Sequence, residues 1–184
     1  MSKDLSGTGI VVTRPAAQSD TLARLIRDAG GEPILFPALE VQPLDGVFTE
    51  PVLESLASID LVIFISPNAV RMSMPHILKR GGLTPRTKIA AVGPASAAEL
   101  RKYGLGKIML SQKGFDSEAL LEELSALPLD RTRVLIVRGQ GGRALLGDTL
   151  RARGACVDYL ECYRRLKPPN DLLKVCSSLG GTGV

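Results

Sequence analysis

The chain has no tryptophan, one histidine and only 4% aromatic residues among its 184. That shortage leaves neither an aromatic cage for a quaternary cation nor a stacking platform for single-stranded nucleic acid. Charge of one sign is also scarce. The 23 Lys and Arg residues face 19 Asp and Glu, a formal charge of +4, and the arginines are scattered rather than gathered into a basic run. A duplex needs several clustered phosphate contacts, so nucleic acid is not an expected partner, whereas so mild an excess suits an anionic small molecule. Long apolar runs are missing as well. The longest, Leu61 to Ile65, is far short of the ~20 residues of a membrane span, and "MSKDLSG" holds no hydrophobic leader segment. We expect no membrane partner, no export and a cytoplasmic location. Cysteine is sparse too: Cys156, Cys162 and Cys176 are odd in number and form no CxxC pair. Neither a disulfide framework nor a metal site is expected, and the three read as packing thiols in a reducing compartment.

What is present is the composition of a globular protein, 45% apolar and 23% charged, arranged as short β-branched runs alternating with longer helical patterns. That alternation is the mark of α/β architecture, parallel strands joined by crossover helices. "GIVVT" and "EPILF" read as strands; between them Leu22, Leu25, Ile26 and Ala29 recur at helical spacing until the Gly30-Gly31 stop. "PALEVQPL" reads as a proline-bracketed extended linker. Beyond it the strands "LVIFIS", "KIAAVG", "KIMLS", "RVLIVRG" and "CVDYLECYRR" alternate with helices over Val52 to Ala57, after "PNAV", over Ala95 to Tyr103, over "SEALLEELSAL" and over Arg143 to Arg153. Leu120, Leu121 and Leu124 form the inward stripe of the fourth of these helices.

An internal repeat is visible. Shifted by 124 positions, Ile10 falls on Val134, Val12 on Ile136, Arg14 on Arg138, Leu22 on Leu146, Ile26 on Leu150 and Gly30 on Gly154, without a gap. Shared β-α-β periodicity accounts for part of this; a second related lobe accounts for the rest. The expected organisation is a first lobe begun by residues 1–37, a linker strand over 38–43, a complete second lobe over 44–159, a return strand over 160–168, and a continuation of the first lobe over 169–184. Two crossings imply a ligand cleft between lobes. Two strands and two helices are too few to cover a parallel sheet on both faces, so the first lobe reads as truncated.

Metal, triad and carboxylate chemistry find little support. His76 lies in "MPHILKR" with no GxSxG elbow in the chain, and Glu118, Glu122 and Glu123 occupy the solvated face of an amphipathic helix. What recurs is a strand that ends in a small polar turn opening a helix: "VTRPAAQ", "ISPNAV", "VGPASA" and "RGQGGR". Such turns present the first-turn N–H groups of a helix at the carboxyl edge of a sheet, where α/β proteins hold anions. Ser66, Asn68, Ser96 and Ser117 serve there as ligands or merely as caps. "GQGGR" lacks the Lys-Ser/Thr ending of a P-loop and the spacing of GxGxxG. Its glycines permit close backbone approach, and Arg138 with Arg143 offers paired donors to a carboxylate.

In family order, "VTRPAAQSDTLARLIRDAGGEP", "DLVIFISPNAVRM", "IAAVGPASAAELRKYG", "SEALLEEL", "VLIVRGQGGRALLGDTLRARGACV" and "ECYRR" resemble the uroporphyrinogen-III synthases. The resemblance implies two lobes joined by a pair of extended strands and no cofactor; a monomer is the default expectation. It also implies a linear tetrapyrrole polycarboxylate, hydroxymethylbilane, as the substrate to be closed into a ring with its last pyrrole inverted. By the same resemblance Tyr163 is the candidate proton donor to the leaving hydroxyl, and the helix-start turns and their glycines make Thr13, Arg14, Ser66, Pro67, Asn68, Gly93, Ser96, Ser117, Arg138, Gly139, Gly141 and Gly142 the residues expected to contact substrate. Two positions depart mildly from the family pattern, Ser96 for threonine and Ile65 for a hydroxyl residue. A non-catalytic binder of an anionic small molecule and a nucleotide-binding regulator built on "GQGGR" are the rival readings.

Overall fold

The structure, a computed structural model, describes residues 4–169. The continuation of the first lobe expected over 169–184 lies, from residue 170 onward, outside the described residues, as does Cys176. Chain packing divides the molecule into two compact units, Met1–Gln42 with Arg165–Val184, and Pro43–Arg164.

The first unit holds β1 (Gly9–Val12), α1 (Asp20–Asp28) and β2 (Glu32–Leu35), with β1 and β2 parallel and Val12 opposite Leu35. α1 seats on them through Ala23 and Ile26, both 4% exposed, while Leu25 is 57% exposed. The expected stripe of Leu22, Leu25, Ile26 and Ala29 is therefore turned: leucine spacing marks an apolar arc but not the line at its centre, which the narrow alanine at position 23 sets by allowing close approach. Gly30 ends the helix at φ +85°, and its counterpart in the repeat, Gly154, ends α6 at φ +90°. Both donate back to an arginine carbonyl, Arg27 and Arg151. Their left-handed backbone is the conformation glycine adopts without strain.

The second unit is a doubly wound sheet. Its elements run β3 (Glu40–Pro43, straddling the boundary), α2 (Glu50–Ser55), β4 (Leu61–Phe64), α3 (Pro67–Lys79), β5 (Lys88–Ala91), α4 (Pro94–Arg101), β6 (Ile108–Met109), α5 (Ser117–Glu123), β7 (Arg133–Gly139), α6 (Leu145–Ala152) and β8 (Cys156–Leu166). The strand order is β3-β8-β7-β4-β5-β6, and the pairs β8/β7, β7/β4, β4/β5 and β5/β6 are all parallel. The fold class expected from the alternation, α/β with parallel sheets flanked by helices, is the one observed.

Burial explains the strand sequences. All four residues of β4 and the last six of β7 are buried, as central parallel strands covered on both faces must be, which is why they read as unbroken Val/Ile/Leu runs. Register puts Leu61 beside Val134 and Ile63 beside Ile136. These four join Leu120, Leu121 and Leu124 of α5 and its following turn, and Leu146 and Leu150 of α6, in one cluster. Alternation sends Phe64 and Val137 to the other face, where α3 and α4 contribute the buried Val70, Met74, Ile77 and Leu100. Among the described residues no helix is long and apolar enough to cross a membrane.

At Gly147, inside α6, a Cβ would overlap the hydroxyl of Tyr159 and come within 2.8 Å of its ring carbon. Gly147→Ala should therefore destabilise by about 1–3 kcal/mol through overpacking, although alanine is the better helix former. Urea unfolding should show this loss, and the loss should shrink in a Tyr159→Phe background.

Candidate active site

The strand order reverses between β4 and β7: from β4 the chain winds outward through β5 and β6, and from β7 it winds the other way to β8. In open α/β sheets such a switch point opens a crevice at the carboxyl ends of the two central strands. Two of the sequence-predicted turns, "ISPNAV" after β4 and "RGQGGR" at the end of β7, meet there.

Ser66 follows β4 and is the N-cap of α3. Its Oγ accepts the Ala69 N–H at 3.1 Å and lies 2.9 Å from the hydroxyl of Tyr163, 97 residues away in sequence. Tyr163 reaches it from β8 because the β7/β8 register slips: Arg138 faces Glu161, but Gly139 faces Tyr163, leaving Cys162 as the extra residue of a bulge. The Tyr163 ring then lies across Gly139, where a Cβ would sit 2.5 Å from ring carbons and 3.0 Å from the hydroxyl. Tyr163 is 0% exposed and Ser66 half-buried. Behind them Cys162 offers its thiol proton to the Arg138 and Ala69 carbonyls, at 3.5 and 3.8 Å. Burial pushes this thiol up to about 12, so Cys162 stays a neutral packing group while Cys156 is exposed and free.

The other predicted residues are placed as follows. Pro67 opens α3 at its first position and has no N–H to give, while Ala69 gives its own to Ser66; the donor set at this helix start is narrower than the residue pattern implies. Asn68 accepts Arg71 Nη2 at 2.7 Å, Arg71 Nη1 donates to Glu99 at 3.0 Å, and Lys102 binds the same Glu99 oxygen at 3.0 Å. Two cations thus share one nearly buried carboxylate, and the Arg71 contact links α3 to α4. Gly93 is the N-cap of α4, and Ser96, buried in its first turn, donates its N–H to the Gly93 carbonyl at 3.1 Å. Ser117 is the first residue of α5, half-buried, and the cap is its neighbour Asp116, whose Oδ1 accepts the Ala119 N–H at 2.8 Å. Gly141, at φ +73°, and Gly142 shape the turn after β7. Thr13 and Arg14 are exposed on the first unit, where their carbonyls accept from Ala38 N–H and Ser19 Oγ.

Arg138 is only 9% exposed, and both of its Nη groups donate to backbone carbonyls. Nη1 reaches the Arg143 carbonyl at 3.3 Å, Nη2 the Gly142 carbonyl at 2.9 Å, and Nε lies 3.2 Å from Glu161 Oε1. The Nε proton is not aimed at that oxygen, so this last contact is an ion pair without an aligned hydrogen bond. The guanidinium also stacks over Tyr159 at 4.5 Å. Sequence reasoning missed Arg71, Glu99 and Glu161, whose roles arise from pairing between separate elements. It also missed Phe115, 64% exposed on the loop before α5, with its Cβ 3.7 Å from where a Gly93 Cβ would be. A lone aromatic in a polar loop has no periodic signal. Among the described residues no group of three or more His, Cys, Asp or Glu is placed to hold a metal ion.

A family model described as uroporphyrinogen-III synthase HemD matches residues 20–182. The uroporphyrinogen-III synthase of Escherichia coli K12 is 34% identical over 160 residues, which cover 85% of this chain and 64% of that protein. That of Proteus mirabilis is 33% identical over 159 residues, covering 85% of this chain and 80% of its own. The chain thus spans less than two thirds of the length of its Escherichia coli relative. A solved structure of a mutant uroporphyrinogen III synthase from the extremely thermophilic bacterium Thermus thermophilus superposes with a TM-score of 0.67 at 22% identity, over 93% of this chain and 68% of that one; this likeness concerns the fold.

The close approach at Gly139 makes a graded prediction. Gly139→Ala must displace the Tyr163 ring and should cost about 1–3 kcal/mol. Tyr163→Phe keeps the ring in place and removes the hydroxyl contact with Ser66, costing about 1 kcal/mol. Urea unfolding of the two variants should rank them in that order.

Proposed function

The chain belongs to the uroporphyrinogen-III synthase family, and we propose that the protein performs the reaction this family name states: closing hydroxymethylbilane to uroporphyrinogen III with inversion of the last pyrrole and loss of water. We further infer that it works without a cofactor, as a monomer in the cytoplasm, where the free thiols Cys156 and Cys162 would stay reduced.

The observation that carries this reading is the contact of Ser66 with Tyr163 at the switch point of the sheet. The reaction needs a proton for a departing hydroxyl, and an electron-rich pyrrole supplies most of the remaining driving force. A phenol is protonated at neutral pH and suits that role. Tyr163 is fully buried and Ser66 only half so, so the proton passes by relay: the Ser66 hydroxyl protonates the leaving group while the Tyr163 hydroxyl reprotonates Ser66. Water departs and an azafulvenium cation remains. Attack on this cation gives the spiro intermediate, which fragments and recloses in the inverted sense. The proton released when the last pyrrole regains aromaticity returns to the tyrosinate, so the cycle balances with one water lost. Positioning does the rest, since the inverting closure must outrun the simple one. The cationic Arg71–Glu99–Lys102 corner and the backbone of the turn after β7 favour a polycarboxylate over a neutral ligand.

Incubating the protein with fresh hydroxymethylbilane and separating the oxidised products tests this directly. Isomer III above the spontaneous background is expected, and only isomer I would sink the proposal. In the relay, Tyr163→Phe and Ser66→Ala should each lower the rate of isomer III formation at least about tenfold, with the product ratio shifting toward isomer I.

A further inference from the structure

We propose that Arg138 and Glu161 form a positioning pair that aims the backbone of the turn after β7 at a carboxylate of the ligand, and that Arg138 does not itself bind that carboxylate. The fork of Arg138 holds the carbonyls of Gly142 and Arg143. In a planar trans peptide the C=O and the following N–H point in opposite directions. Drawing these two carbonyls inward therefore turns the N–H groups of Arg143 and Ala144 outward, as adjacent donors at the carboxyl end of the sheet. Two neighbouring N–H groups of one turn make a concave seat for one carboxylate.

Three features separate this role from direct charge attraction. Arg138 is 9% exposed, so little of it faces a ligand. Its charge is opposed by Glu161 at 3.2 Å, on a strand whose register places Glu161 directly opposite it. Its guanidinium carbon lies over the Tyr159 ring at 4.5 Å, and that ring in turn packs so closely on α6 that a Cβ at position 147 would overlap its hydroxyl. A lysine carries the same charge but neither the rigid fork nor the stacking plane.

The inference rests on a polycarboxylate occupying the site described above, and its test separates the two claims. In the full chain, backbone order parameters for the amides of residues 141–144 should be near the rigid value of ~0.85 and should fall toward ~0.6 in Arg138→Lys, with the amides of β4 unchanged. The affinity for uroporphyrin III, a stable octacarboxylate probe, should weaken about tenfold in both Arg138→Lys and Glu161→Gln, the order of one well-formed charge-assisted contact. If Arg138 instead attracted the ligand by its charge, Arg138→Lys would keep the affinity and Glu161→Gln, by unmasking the cation, would raise it. Either of those results overturns the positioning role, as does an unchanged turn in Arg138→Lys. If the unaltered protein fails to bind the probe, the functional reading falls, and the order parameters still decide whether Arg138 sets the turn.

Discussion

The closeness of Tyr163 to Gly139 is the constraint on which the arrangement of the second unit depends. An aromatic ring lying where any other residue would put its Cβ is possible only with glycine at the end of β7. It also requires β8 to slip by one residue at that point, so that Tyr163 rather than Cys162 faces the strand. Once seated, the ring delivers its hydroxyl to Ser66, which is also the cap of α3. One contact therefore joins the ends of β4, β7 and β8 and the start of α3. It stands at the reversal of strand order, the place where open α/β sheets commonly hold their ligands.

The charged groups around this point follow a common plan. Each buried or nearly buried ion is matched inside the unit: Glu99 by Arg71 and Lys102, and Arg138 by Glu161 and two carbonyls. Such matching is what burial demands, because an unpaired ion in a poorly solvated place is costly. At Arg138 the same matching also ties the charge to backbone, the carbonyls of Gly142 and Arg143.

Much of the fold was legible because it rests on local rules. Buried parallel strands must be apolar on both faces, so β4 and β7 stood out as runs, and Leu120, Leu121 and Leu124 pointed inward as their spacing required. The repeat was legible for the same reason, and its glycine stops at Gly30 and Gly154 share one backbone conformation. Orientation was less legible. The leucine spacing of α1 marked an apolar arc without saying that Ala23 and Ile26 would take its centre and leave Leu25 outside. The contacts among the candidate site residues were less legible than the residues themselves. Ser66, Gly139 and Tyr163 were each picked out singly, but the bulge that brings them together depends on the register between strands, which no single segment encodes. Arg138 was noticed for its charge, whereas its partners Glu161 and Gly142 arise from β8 and from the turn, and pairing of that sort is written only in the folded chain. Asp116 rather than Ser117 caps α5, a difference of one residue that capping preferences, which favour both types, cannot resolve.

The most direct test of this account is a double-mutant cycle on Ser66→Ala and Tyr163→Phe, read by urea unfolding of the single and double variants. If the two hydroxyls are bonded across the switch point, their effects are not additive, and the coupling should be about 0.5–1.5 kcal/mol, as for one buried hydrogen bond. Additive effects, with a coupling indistinguishable from zero, would mean that the two side chains do not meet and that the site as described does not form.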